Sequence, residues 1–315
     1  MKVVIVRELL PAGRELLEQR FEVTSLGLDA TRDEMLEGVR GAEGLVTDLT
    51  FAVDGELLDA AGPQLDVVAN FGVGYDNVDL DACAARDITV TNTPDVLTNA
   101  TAELALALAM AAARDLPGAE RDLREGRWGG WDPGQWRGFE LSGATIGVVG
   151  AGRIGGRFLE LAAGFGGERL YTARSTKPDL EGKLGARRVE LDELLSQSDL
   201  ISLHAPGGPE TRHMIDERAI GLIKPTAVLV NTGRGTLVDS EALARALEEG
   251  RIGAAGLDVF EGEPEVPQSL LDAPRVALAP HIGSATYRAR DAMSRTVAEN
   301  VIAALSGANP PNRVV

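Results

Sequence analysis

One string constrains the fold of this chain more than any other: Gly150-Ala151-Gly152-Arg153-Ile154-Gly155, directly after Ala144-Thr145-Ile146-Gly147-Val148-Val149. A GxGxxG alone is a weak signal in a chain with 37 glycines. Here it follows a β-branched run and opens a helical stretch, Arg153 to Ala163, which is the context that dinucleotide binding requires. Gly150 would permit the tight turn, Gly152 would let the backbone approach a pyrophosphate, and Gly155 would let helix pack on strand. The helix N-terminus, beginning at Arg153 and Ile154, would offer free N–H groups to the anion. The bland reading is an ordinary strand-to-helix turn.

The end of the next strand bears on which dinucleotide. NAD sites usually carry Asp or Glu there, for the ribose 2′-hydroxyl. The strand Arg169–Ala173 instead runs into Arg174-Ser175-Thr176-Lys177, without a carboxylate. Arg174 can pair with a 2′-phosphate, while Ser175 and Thr176 can donate hydrogen bonds. NADP(H) is therefore expected ahead of NAD(H), against the plain alternative of an exposed basic loop.

Short β-branched runs alternate with helical stretches along the whole chain, the pattern of parallel βαβ architecture. Expected strands in the first third are Val3–Val6, Glu22–Leu26, Leu45–Thr47, Val67–Asn70 and Thr89–Thr91. A long Ala/Leu helix follows from Thr98 to Asp115, with Thr98 or Asn99 as N-cap, and Gly126 to Gly138 reads as an irregular arm. A second alternating series begins at Ala144–Val149. It continues through Arg169–Ala173, Leu200–His204, Ala227–Asn231, Ala255–Val259 and Val276–Ala279, before a last helical segment from Ser284 to Leu305. The simplest arrangement is a first domain interrupted by a second, with the C-terminal helix returning to the first.

At 315 residues and 44% hydrophobic content the chain has room for two domains with large cores. No apolar run is long enough to span a membrane, and Met1–Arg7 lacks the cleavage site of a signal peptide, so a cytoplasmic location is the default. A net charge of −17 argues against nucleic acid, which needs a basic face. Cys83, the one cysteine, reads as a small core residue.

Reduction of a keto acid needs a cation for the carboxylate and an acid for the carbonyl oxygen, placed at the carboxyl ends of parallel strands. Arg234, Glu263 and His281 each follow an expected strand. Of the other histidines, His204, followed by Ala205-Pro206, suits cofactor lining. His213, after Thr211-Arg212, reads as a partly exposed structural residue. From pattern alone His281 is a candidate acid and no more.

The strings Thr232-Gly233-Arg234-Gly235, Gly256-Leu257-Asp258-Val259-Phe260-Glu261-Gly262-Glu263-Pro264 and Pro280-His281-Ile282-Gly283-Ser284-Ala285-Thr286 resemble the D-2-hydroxyacid dehydrogenases. Phe71-Gly72-Val73-Gly74-Tyr75-Asp76-Asn77 and Thr93-Pro94-Asp95-Val96 extend the likeness over nearly the whole chain. Within that family Trp128-Gly129-Gly130-Trp131-Asp132-Pro133 and Arg174-Ser175 point to the glyoxylate/hydroxypyruvate reductases. The resemblance implies two doubly wound parallel-sheet domains. A flavodoxin-like substrate domain, residues 1–98 plus 286–315, would be interrupted by a Rossmann cofactor domain, residues 99–285. It also implies a homodimer with a contact arm at about 116–140, and makes Trp131 a candidate to reach the partner's active site.

By the same resemblance His281 would be the proton donor, Glu263 would bond it and stabilise the imidazolium, and Arg234 would hold the carboxylate. Backbone N–H groups of Val73 and Gly74 would take the other side of that carboxylate, with Leu49 nearby. Thr101, His204, Ala205, Pro206, Thr211, Thr232 and Gly283 would line the cofactor, and Asp258 would orient its carboxamide. No metal enters this set. The family's pattern departs at Gly207-Gly208-Pro209, where relatives commonly carry a bulkier residue, so the shape of that loop is left open. Two other readings remain: a reductase of 2-ketogluconate or another 2-keto acid, and a dinucleotide-sensing, corepressor-like binding protein on the same fold.

Overall fold

The computed structural model describes residues 1–315, which divide into two compact units, Met1–Leu97 with Ser284–Val315, and Thr98–Gly283. In the first unit, β1 (Lys2–Ile5), β2 (Glu22–Ser25), β3 (Gly44–Thr47), β4 (Val67–Asn70) and β5 (Thr89–Thr91) form one sheet in the order β2-β1-β3-β4-β5. Every pairing is parallel, and the order is the flavodoxin-like one. Both faces of β3 and β4 are buried, as helices on the two sides of a parallel sheet require.

Acidic and hydroxyl caps start the short helices of this unit. The side chains of Thr31, Asp54 and Asp79 each accept from the backbone N–H three residues on, worth about 1 kcal/mol apiece. The last helix, Tyr287–Leu305, lies on the sheet through Val297, Ala298, Val301 and Leu305, which share a core with Val3, Ile5, Val46 and Val67. It also meets the Pro11–Glu18 helix closely: the Ser294 hydroxyl donates to the Leu10 carbonyl at 2.9 Å. Cys83 is buried, and burial pushes its thiol up to about 11, so it is inert packing.

The second unit carries β6 (Ile146–Val149), β7 (Arg169–Thr172), β8 (Arg187–Arg188), β9 (Leu200–Leu203), β10 (Val228–Asn231), β11 (Ala254–Leu257) and β12 (Val276–Leu278). Their order is β12-β11-β10-β9-β6-β7-β8, parallel throughout, which is the Rossmann order with one further strand. The strand series reverses between β6 and β9, and there a ligand crevice belongs. The two sheets are thus the two doubly wound α/β layers expected, with strand ends differing by one or two residues. The sequence offers no sign of β8, because two exposed arginines carry no strand signature.

The helix expected to run from Thr98 to Asp115 ends at Ala113. Its first residue is Thr98 itself, so neither Thr98 nor Asn99 is the cap; the Asn99 side chain instead accepts from Arg157 Nε at 2.9 Å. Asp115 turns the chain with φ of 43°, and a second helix, Leu116–Arg124, restarts with Pro117 in its first turn, where a missing N–H costs nothing. Leu108 packs over β11, where a Cβ on Gly256 would come within 2.9 Å of it. Residues 126–138 form neither helix nor strand.

Candidate active site

The dinucleotide turn has the geometry its sequence implies. Gly150 adopts φ of 89°, and a Cβ there would lie 2.5 Å from Ala205 N, so this turn is pressed onto the end of β9. A Cβ on Gly155 would lie 2.3 Å from the Gly150 carbonyl oxygen, which makes the helix–strand approach a backbone contact. Gly152 differs: a Cβ there would meet nothing within 4 Å. It is the N-cap of the Arg153–Ala162 helix and carries no side-chain cap bond. An open, positively polarised helix end beside a bare backbone fits a pyrophosphate.

His204 and Thr232 sit at the ends of β9 and β10. The His204 ring bonds Ser202 Oγ at 2.9 Å through Nε2 and Thr232 Oγ1 at 3.3 Å through Nδ1, and it tilts against Phe158 with ring centroids 5.4 Å apart. Desolvation drives its pKa down to about 3. A neutral imidazole at every working pH is no proton donor. Thr211 Oγ1 donates to the Pro206 carbonyl at 2.8 Å and closes the Gly207-Gly208-Pro209 loop on itself. Thr101 is buried, and a Cβ on Gly283 would lie 3.2 Å from its methyl carbon.

Three loops at the carboxyl ends of β10, β11 and β12 carry the proposed catalytic side chains. Asn231, fully buried, shapes the first: its Nδ2 donates to the Arg234 carbonyl at 2.8 Å and its Oδ1 accepts from Gly233 N at 3.0 Å. Glu263 lies on the second, its Oε1 accepting from Phe260 N at 2.8 Å. His281 lies on the third with φ of 52°, a left-handed conformation that costs a non-glycine residue strain. Asp258 holds it there. The carbonyl of Asp258 accepts from His281 N at 2.9 Å, and its carboxylate accepts from Ile282 N at 2.7 Å and Gly283 N at 2.8 Å.

These restraints bring His281 Nδ1 to 2.6 Å from Glu263 Oε2, with both side chains about a quarter exposed. Burial works to raise the Glu263 carboxyl, but the His281 bond, the Phe260 N–H and the nearby His281 and Arg234 charges outweigh it and hold it below the usual range. A carboxylate in that state accepts from Nδ1–H, leaving Nε2 as the nitrogen that exchanges a proton with a ligand.

In the first unit, the Val73 and Gly74 carbonyls are both engaged, by Asn92 Nδ2 at 2.8 Å and Asn70 Nδ2 at 2.6 Å. Leu49 is 37% exposed in a turn held by Asn77 Nδ2 on the Asp48 carbonyl at 2.8 Å. Sequence pattern misses several residues that shape the site. Glu261 binds Arg212 and also His213 Nε2, the latter at 2.7 Å, and so ties the Glu263 loop to the Thr211–His213 segment. Tyr171 and Arg188 brace the loop that contains Arg174. The Glu261 pairing has a sequence signal, its place in the Phe260–Glu263 string, but its partners lie about fifty residues away.

Two parallel-sheet units, a dinucleotide turn at a topological switch point, and a His–Glu pair beside an arginine define a nicotinamide-dependent oxidoreductase. The sequence profile of the D-isomer specific 2-hydroxyacid dehydrogenase NAD binding domain matches residues 106–283. A glyoxylate reductase of Thermococcus onnurineus is 47% identical over 99% of this chain and 95% of that protein. The chain superposes with a TM-score of 0.92 on the TT0316 protein of Thermus thermophilus, at 41% identity and full coverage of both chains. An NADPH-dependent glyoxylate/hydroxypyruvate reductase from Sinorhizobium meliloti, solved with NADP and malonate, gives a TM-score of 0.88 at 37% identity, covering 100% of this chain and 96% of that one. The chain belongs to the D-2-hydroxyacid dehydrogenase family, and its cofactor is a nicotinamide dinucleotide.

Proposed function

We propose that this protein reduces small 2-keto acids, glyoxylate and hydroxypyruvate foremost, to the D-2-hydroxy acids, with NADPH preferred over NADH. The 2.6 Å contact between Glu263 and His281 carries this reading. A bound reduced nicotinamide supplies the hydride. Arg234 holds the substrate carboxylate with its planar fork and polarises the carbonyl. As negative charge grows on the carbonyl oxygen, His281 releases the proton on Nε2 to it. Glu263 keeps the ring oriented through Nδ1 and stabilises the imidazolium before transfer. The Val73 and Gly74 N–H groups and Leu49 are assigned to the substrate side.

The preference for NADPH rests on Arg174, Ser175 and Thr176, all exposed after β7, where no carboxylate competes for the ribose. A homodimer is part of the proposal. Met110, Leu116, Leu123, Trp128 and Trp131 are large apolar side chains at least half exposed, close in sequence, and Trp131 is 84% exposed; such a surface is expected of an interface.

The reading is tested by following NADPH oxidation with glyoxylate, hydroxypyruvate and 2-ketogluconate. Turnover with the two small acids is expected; no oxidation with any 2-keto acid would leave a dinucleotide-binding protein without catalysis. His281→Ala should lower kcat by at least about 10²-fold with NADPH binding retained, the range a general acid contributes. Activity within about tenfold of the parent would remove His281 from the donor role.

A further inference from the structure

The loop after β7 is held in place by two residues that lie outside it. The Tyr171 ring is fully buried, and its hydroxyl lies 2.5 Å from Glu181 Oε1 while accepting from Lys177 N at 2.7 Å, which fixes the far end of the loop. The near end is fixed by Arg188. Its Nε donates to the Ala173 carbonyl at 3.0 Å and its Nη2 reaches the Arg174 carbonyl at 3.5 Å. The neighbouring Arg187 is neutralised by Glu193 at 2.7 Å. Arg188 bonds carbonyl oxygens rather than a carboxylate, so its charge stays uncompensated. The strand that carries it, β8, pairs only with β7, with Tyr171 opposite Arg188 in the register. Both residues of this strand are exposed.

We propose that Arg188 is a second determinant of cofactor choice, setting the conformation from which Arg174 and Ser175 approach the ribose and placing a second guanidinium beside a 2′-phosphate. The inference rests on the NADP(H) reading above. A 2′-phosphate carries close to two negative charges, and two cations, one on the loop and one on the neighbouring strand, favour it. A 2′-hydroxyl gains nothing from the second cation, so Arg188 discriminates between the cofactors. Arginine suits the position because one edge of its fork braces the carbonyls while the charge remains spread over the other nitrogens.

The test is direct titration of the intact protein with adenosine 2′,5′-bisphosphate and with AMP, for the parent, Arg188→Met and Arg188→Lys, alongside KM for NADPH and NADH. For Arg188→Met, Kd for the bisphosphate should rise about tenfold, AMP affinity should stay within about twofold, and KM for NADPH alone should rise with kcat unchanged. Arg188→Lys should recover part of the loss, since charge returns without the fork. Loss of both ligands in parallel would reduce Arg188 to a loop brace and overturn the proposal, as would an unchanged ratio. A parent protein that binds the two ligands equally would instead refute the NADP(H) reading itself, and this inference with it. Because the side chain is exposed, unchanged thermal melting of both variants is expected.

Discussion

At the residue scale, glycines of one motif do separable jobs. Gly155 faces a carbonyl oxygen 2.3 Å from where a Cβ would stand, whereas Gly152 faces open space. Gly155→Ala should therefore destabilise the fold, by about 1–3 kcal/mol as an overpacked contact. Gly152→Ala should melt within about a degree or two of the parent and still lose dinucleotide affinity about tenfold or more. Differential scanning fluorimetry with and without NADPH reads both outcomes. His204 makes a second case. Its folded pKa, about 3, lies below the ordinary 6.5, so as pH falls the unfolded chain takes up the proton first. The stability that neutral His204 allows is complete above 6.5 and drains away towards 3, with a slope approaching about 1.4 kcal/mol per pH unit. In His204→Gln the fall in melting temperature between about pH 7 and about pH 5.5 should be smaller than in the parent. An identical fall would mean that other groups set the acid sensitivity.

At the element scale, the strands are legible because parallel β-strands buried on both faces must be continuous apolar runs, and Val228–Asn231 or Ile146–Val149 can be little else. The end of the Ala/Leu helix is legible to within two residues, because Arg114-Asp115 breaks the pattern, whereas its restart as Leu116–Arg124 is hidden, with Pro117 the hint. For the site, strand ends point to Arg234, Glu263 and His281 as separate candidates. What pattern could not give is the left-handed turn at His281 or the Asp258 carboxylate clamping the amides beyond it, because both depend on the register of β11 with β12. The Arg212–Glu261–His213 cluster is equally invisible. It fastens the loop bearing Glu263, so Glu261→Gln should lower kcat by about 5- to 50-fold through small misplacement of the Glu263–His281 pair. KM for the keto acid should change less, and the partly exposed contacts should cost at most about 1 kcal/mol of stability. An unaltered kcat in steady-state kinetics would make the cluster purely structural.

At the scale of the whole molecule, the proposed homodimer would bury the large apolar side chains of Met110, Leu116, Leu123, Trp128 and Trp131, all at least half exposed. Leu123→Asp with Trp131→Asp should shift the protein to monomer in analytical ultracentrifugation; a parent protein that sediments as a monomer would dispose of the dimer. The bond from Ser294 to Leu10 has a further meaning in time. A ribosome releases Leu10 long before Ser294, an interval of about 15–60 s at the usual 5–20 residues per second. Throughout it the first sheet lacks the helix that covers Val3, Ile5 and Val67, while Thr98–Gly283, continuous in the chain, can complete its own sheet. The order of closure is thus the reverse of the order of synthesis: the half made second closes first, and the half made first waits, with one apolar face open, for the last residues to arrive.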